Sequence, residues 1–130
     1  MLSIDTNVLV RVLVDDEQAT EQCRLARQTV AQAGHIFVSQ VVQIETAWVL
    51  MRAYGLNAFE LKTVFEQLMA HQAFTLQHLH IFRRALDYFV ASHTDFADCM
   101  ILAESQYAYA MLATFDKKLS RQQGCMLLQP

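Results

Sequence analysis

Short apolar runs alternate along the chain with longer stretches whose apolar positions recur at helical spacing. Leu2-Ser3-Ile4 predicts a first strand. Val8, Leu9, Val12 and Leu13 then share one helix face, with Asp5 or Thr6 placed to cap it. Asp15-Asp16-Glu17 predicts the start of a second helix that runs to about Ala33, because acids in a first turn complement the helix dipole and Gly34 is a good terminator. His35–Val38 is rich in β-formers and reads as the second strand. Ser39 opens a helix carrying Val42, Ala47, Val49 and Leu50 that ends near Gly55, and Asn57 opens another over Ala58–Ala70. Phe74-Thr75-Leu76 reads as a short strand, and His80–His93 as a helix with Ile81, Ala85, Leu86 and Phe89 on one face. The spacing then predicts a helix over Phe96–Ala108, a strand at Met111–Thr114, a helical turn at Lys117–Arg121 and an edge strand at Met126–Leu128. Strands alternating with helices point to an α/β fold: a central parallel sheet, helices on both faces and right-handed crossovers.

Composition supports that reading. Three glycines and one terminal proline are few breakers for 130 residues, so the chain should be mostly helix with short connections, and a single domain over 1–130. The apolar fraction, 54%, exceeds the usual ~45–50%, yet no apolar run approaches the ~18 residues of a membrane span. The opening stretch lacks a basic region and is interrupted by Asp5, unlike a secretory signal. Cys23, Cys99 and Cys125 are odd in number and widely spaced, which argues against a disulfide framework and for a reduced, cytoplasmic chain. The net charge of −3 looks wrong for a nucleic-acid binder. Two bound divalent cations would more than offset it, so the acids can belong to a site instead of repelling a substrate. The surplus apolar residues between Val41 and Met69, among them Val49, Leu50, Leu61, Val64, Phe65 and Leu68, are expected in part to form a groove for a peptide or a second subunit.

The chemistry lies in carboxylates at the edges of apolar segments. Asp5 follows the first strand, Glu45 sits inside an apolar helix, Asp98 opens Cys99-Met100-Ile101-Leu102, and Asp116 follows Met111–Thr114. Strand ends of this kind are where open α/β sheets hold ligands. Several acids there, with no paired bases nearby in sequence, suit a divalent cation held by oxygen ligands. Each acid also has a plainer role: Asp5, Asp95 and Asp116 as helix N-caps, Asp98 as a first-turn dipole partner, Glu45 as a helix surface residue. An acid beside the apolar Glu45 helix face is costly unless paired or bound to metal. Asp95 and Asp98 share a helix face and repel unless a cation lies between them. Thr6 and Asn7 are placed to orient Asp5 or a water, and the Thr114 hydroxyl to hold Asp116, a water or a phosphate. The five histidines show no metal-ligand spacing and read as surface residues, Phe65, Tyr88 and Phe89 read as core, and Arg11, Arg52, Lys117, Lys118 and Arg121 are candidates for a phosphate path. No glycine-rich nucleotide loop is present, and Asp5-Thr6-Asn7 lacks the second acid of Asp-x-Asp phosphatases.

Four segments, Ile4-Asp5-Thr6-Asn7-Val8-Leu9, Val41-Val42-Gln43-Ile44-Glu45-Thr46, Asp95-Phe96-Ala97-Asp98-Cys99-Met100-Ile101 and Thr114-Phe115-Asp116, together resemble a PIN domain, most of all the VapC-type toxin ribonucleases of toxin–antitoxin pairs. The resemblance spans almost the whole chain in order and spacing. It implies a three-layer sandwich and a metal-dependent endoribonuclease using Mg²⁺ or Mn²⁺. It assigns Asp98 as the metal acid of its pair, with Asp95 accessory, and makes Asp5 and Asp98 the best direct ligands. Glu45 and Asp116 would serve a second ion or the attacking water. An RNA substrate, a small antitoxin protein and a homodimer are the implied partners. The rival classes are a PIN-fold binding module without catalysis, whose signature would be lost acids, and a metal-dependent DNA nuclease or phosphatase.

Overall fold

The computed structural model describes residues 1–92 and 94–130, and its strands and helices alternate as an α/β fold with parallel pairing. The chain divides into two units, Met1–His78 and Leu79–Pro130.

In the first unit, β1 (Leu2–Ser3), β2 (Ile36–Val38) and β3 (Phe74–Leu76) form one parallel ladder in that order, with Leu2 opposite Ile36 and Val38 opposite Leu76. Parallel neighbours need long crossovers. Helices α1 (Thr6–Leu13) and α2 (Thr20–Ala33) provide the first, and α3 (Gln40–Arg52) with α4 (Ala58–Ala70) the second. Ile36 and Val38 of the middle strand are fully buried, as are Leu9 on α1, Leu50 on α3 and Leu61 and Phe65 on α4. The caps follow the sequence. Ser39 accepts from the Val42 N–H, and Asn57 and Glu60 form a reciprocal capping box. Gly34 ends α2 at φ +75°, a conformation that costs other residues a steric clash.

The second helix begins later than expected. Asp16 is extended, its carboxylate accepts from the Gln18 N–H and the Tyr54 hydroxyl, and Arg11 lies 3.4 Å away. These bonds hold the chain out of the helix, so a 3₁₀ turn over Glu17–Ala19 precedes α2.

In the second unit, α5 (Leu79–Ser92) packs against α6 (Phe96–Tyr107). Phe96 meets Phe82 and Phe89 edge-on, at centroid distances of 5.9 and 5.8 Å, and Met100 and Leu102 are fully buried. Strands β4 (Leu112–Thr114) and β5 (Cys125–Leu127) form a second parallel ladder, connected through the short α7 (Lys117–Ser120). His93, the expected end of the α5 helix, lies outside the described residues. Among the described residues no helix is long and apolar enough to cross a membrane, and the three cysteines are free, Cys23 and Cys99 being buried.

Candidate metal centre and its acidic residues

Asp5 and Glu45 belong to the first unit, Asp98 and Asp116 to the second. Asp5 stands between β1 and α1 as an N-cap: its Oδ1 accepts from the Val8 N–H at 3.1 Å. That bond uses one carboxylate oxygen, so the cap and ligand roles of Asp5 are compatible. Thr6, placed by the sequence to orient Asp5 or a water, reaches Glu45. Its hydroxyl donates to Glu45 Oε1 at 2.9 Å, linking the start of α1 to the middle of α3. Glu45 is therefore held by a neutral donor, which fixes its orientation and leaves its charge uncancelled. The expectation of a costly acid on an apolar face is corrected by its surroundings: Glu45 is exposed, with exposed Val41 and Trp48 on the adjacent turns. Asn7 is exposed beside Thr6.

In the second unit Asp95 caps α6, its Oδ1 accepting from the Ala97 N–H at 2.7 Å, and Asp98 lies in the first turn. Burial pushes the Asp98 carboxyl above its ordinary pKa, and the negative charges of Asp95 and Asp116 push it the same way. The neutral form of Asp98 is thus favoured by its burial and by two negative neighbours. Asp116 caps α7 through Oδ1 to the Leu119 N–H, while its own N–H donates to the Thr114 hydroxyl at 3.0 Å. Thr114 therefore fixes the backbone of the turn that carries Asp116. Behind Asp98, Cys99 Sγ lies 3.1 Å from the Thr94 hydroxyl, which is 2.6 Å from Ser92 Oγ, so a buried polar chain anchors the start of α6.

This donor chemistry fits a hard divalent cation. All four acids offer carboxylate oxygens, and the recorded bonds of Asp5, Glu45 and Asp116 each occupy one oxygen only. Among the described residues no three acidic, histidine or cysteine side chains stand close enough to form a closed cage. Each unit by itself offers carboxylates of the kind that bind an ion through one or two oxygens and leave it several waters, as with Mg²⁺. A match to the PIN domain family runs over residues 2–124. The chain belongs to the PIN domain family. PIN domains are typically metal-dependent nucleases, so membership supports a nuclease, a hydrolase of the phosphodiester class. No curated protein is similar enough to the chain to count as a relative.

Two groups of residues in this PIN domain stand differently from their reading in the sequence. Arg11 is engaged, donating to Tyr54, Gln22 and Asp16, whereas Arg52 is exposed and lies 5.5 Å from the Trp48 ring. Of the region Val41–Met69, part of which was expected to form a groove, Leu50, Leu61, Phe65 and Leu68 are core, while its exposed large apolar side chains are Val41, Trp48 and Phe59. A cavity is lined by His80, read in the sequence as a surface residue, and by Arg84, Tyr107 and Tyr109, whose order along the chain follows no motif.

Proposed function

We propose that this PIN domain is a Mg²⁺- or Mn²⁺-dependent endoribonuclease over its whole length, and the toxin of a toxin–antitoxin pair. The observation that carries the nuclease reading is the family match together with four retained acids. A binding module that had given up catalysis would be expected to have lost them. In this reading Asp5 and Asp98 hold the ion, Glu45 and Asp116 serve a second ion or the attacking water, and Asn7 and Thr114 are accessory. When bound, the ion would activate water and stabilise the leaving oxygen of the phosphodiester. The chain's own contribution is orientation. Thr6 holds the Glu45 carboxylate in place, the α1 and α7 caps fix Asp5 and Asp116, and the crowding at Asp98 favours a cation over a third uncompensated charge.

The toxin assignment rests on the resemblance of the four acidic segments to VapC-type chains, and with it come a small antitoxin protein and a homodimer as partners. The exposed Val41, Trp48 and Phe59 side chains supply apolar surface for one of them. Incubating the purified chain with labelled RNA, with DNA of the same sequence and with a small phosphomonoester tests the reading. Internal cleavage of RNA alone, dependent on Mg²⁺ or Mn²⁺, is the expected result. Cleavage of DNA alone, or of the monoester alone, would replace it.

A further inference from the structure

Along α5 and α6 of the second unit opens a cavity of about 510 Å³. Its lining includes His80 and Arg84 of α5, Gln106 and Tyr107 of α6, and Tyr109 just beyond that helix. The rings of His80 and Tyr107 lie 4.8 Å apart between centroids, tilted by 54°. Tyr109 is 99% exposed and holds φ +57°, a left-handed conformation that a bulky side chain rarely adopts. Its N–H is tied to the Gln106 carbonyl at 3.0 Å, so the strained turn is held in place. Strain of this kind gathers at binding and catalytic sites.

Arg84 supplies the charge. It donates to Gln106 Oε1 at 3.3 Å and makes no ion pair among the described residues. Among the described residues, no carboxylate lines the cavity. Gln106 is itself braced: Oε1 also accepts from the Tyr88 hydroxyl, and Nε2 donates to the Gln123 carbonyl at 3.3 Å. Gly124 leaves room for it, since a Cβ there would stand 3.2 Å from Gln106 Nε2. A guanidinium is thus steered by a neutral acceptor beside a pair of tilted rings, with its positive charge uncancelled.

We infer that this cavity binds one unpaired nucleotide of an RNA strand, its base stacked against Tyr107 and its phosphate on Arg84. Aromatic faces accept any base, and the planar guanidinium matches a phosphate. A paired duplex hides the faces of its bases, so the strand must be single. The volume lies within the ~300–1,000 Å³ of small-ligand sites. The inference rests on the nucleic-acid reading above and adds a place where the uncut strand is gripped.

The test is binding without cutting. Fluorescence anisotropy of a labelled oligouridylate is measured in EDTA for the full chain and for Tyr107→Leu, Tyr107→Phe and Arg84→Gln, with circular dichroism on each. Tyr107→Leu should weaken binding about tenfold, the order that loss of one base–aromatic stack produces, while Tyr107→Phe keeps the wild-type affinity. Arg84→Gln should weaken binding and reduce the salt slope by about 1. Wild-type affinity in folded Tyr107→Leu overturns the inference, as does equal affinity of the wild-type chain for the annealed duplex. So does loss of self-association in Tyr107→Leu at unchanged RNA affinity, which would make the cavity a contact between copies of the chain. A wild-type chain that never cuts RNA in Mg²⁺ or Mn²⁺, yet shows these binding losses, sinks the nuclease reading and keeps the cavity. One that cuts RNA, and whose Tyr107→Leu variant binds like wild type, does the reverse.

Discussion

Asp98 combines the pressures that define the acidic chemistry of this chain. The dipole of α6 favours its ionised form, whereas burial and the neighbouring Asp95 and Asp116 oppose it and prevail, because the carboxyl is displaced upward. A folded-state pKa above the unfolded value means that the folded chain binds the proton more tightly. Ionisation of Asp98 therefore costs stability as pH rises from about 4 through the raised value. Asp98→Asn removes that cost. Without metal, its melting temperature should exceed that of wild type at pH 7, and the gain should vanish below about pH 4. Saturating Mn²⁺ should raise the wild-type melting temperature by several degrees through binding to the folded state. Asp98→Asn should lose most of that rise, and an equal metal-induced shift in both proteins would exclude Asp98 as a ligand. Thr6 acts on Glu45 through a single bond, so Thr6→Val should lower nuclease activity less than Glu45→Gln, with wild-type circular dichroism.

At the scale of elements, the helix starts were the most legible part of the chain. Asp5, Ser39, Asn57, Asp95 and Asp116 are all N-caps by side-chain bond, and Ala58–Ala70 is a helix over the expected span. Capping is local chemistry, readable from a few adjacent residues. The start of α2 was not readable in the same way, since Asp16 is held by Tyr54, 38 positions away. The Thr6–Glu45 bond was hidden for the same reason, spanning 39 positions. Phe65 was readable as core, but which of Leu50, Leu61 and Leu68 are covered was not, because an apolar periodicity marks a face and not what covers it. Asn57→Ala and Asp95→Ala each remove a cap bond and should each cost about 1 kcal/mol in urea unfolding. Asp95→Ala should still cut RNA far better than Asp98→Asn, since the role of Asp95 is to start α6. A larger activity loss for Asp95→Ala would exchange the roles of the two acids.

As a whole the molecule is a PIN domain with parallel β ladders and acids drawn from distant parts of the chain. The function proposed for it requires Asp5, Glu45 and Asp98 to act together. Residues acting as a unit lose function together, so combined substitutions cost far less than the sum of the single ones. Neither Asp5→Asn nor Glu45→Gln should disturb the fold, because both side chains are exposed. The most direct measurement is the rate of RNA cleavage in Mg²⁺ or Mn²⁺ by wild type, Asp5→Asn, Glu45→Gln, Asp98→Asn and the Asp5→Asn/Asp98→Asn double variant, with circular dichroism on each. Each single substitution should lower the rate about a hundredfold or more, in line with the loss of one group that stabilises charge in the transition state. The double variant should be little worse than the poorer single one. Wild-type cleavage by folded Asp5→Asn, or strictly additive losses in the double variant, would contradict the account.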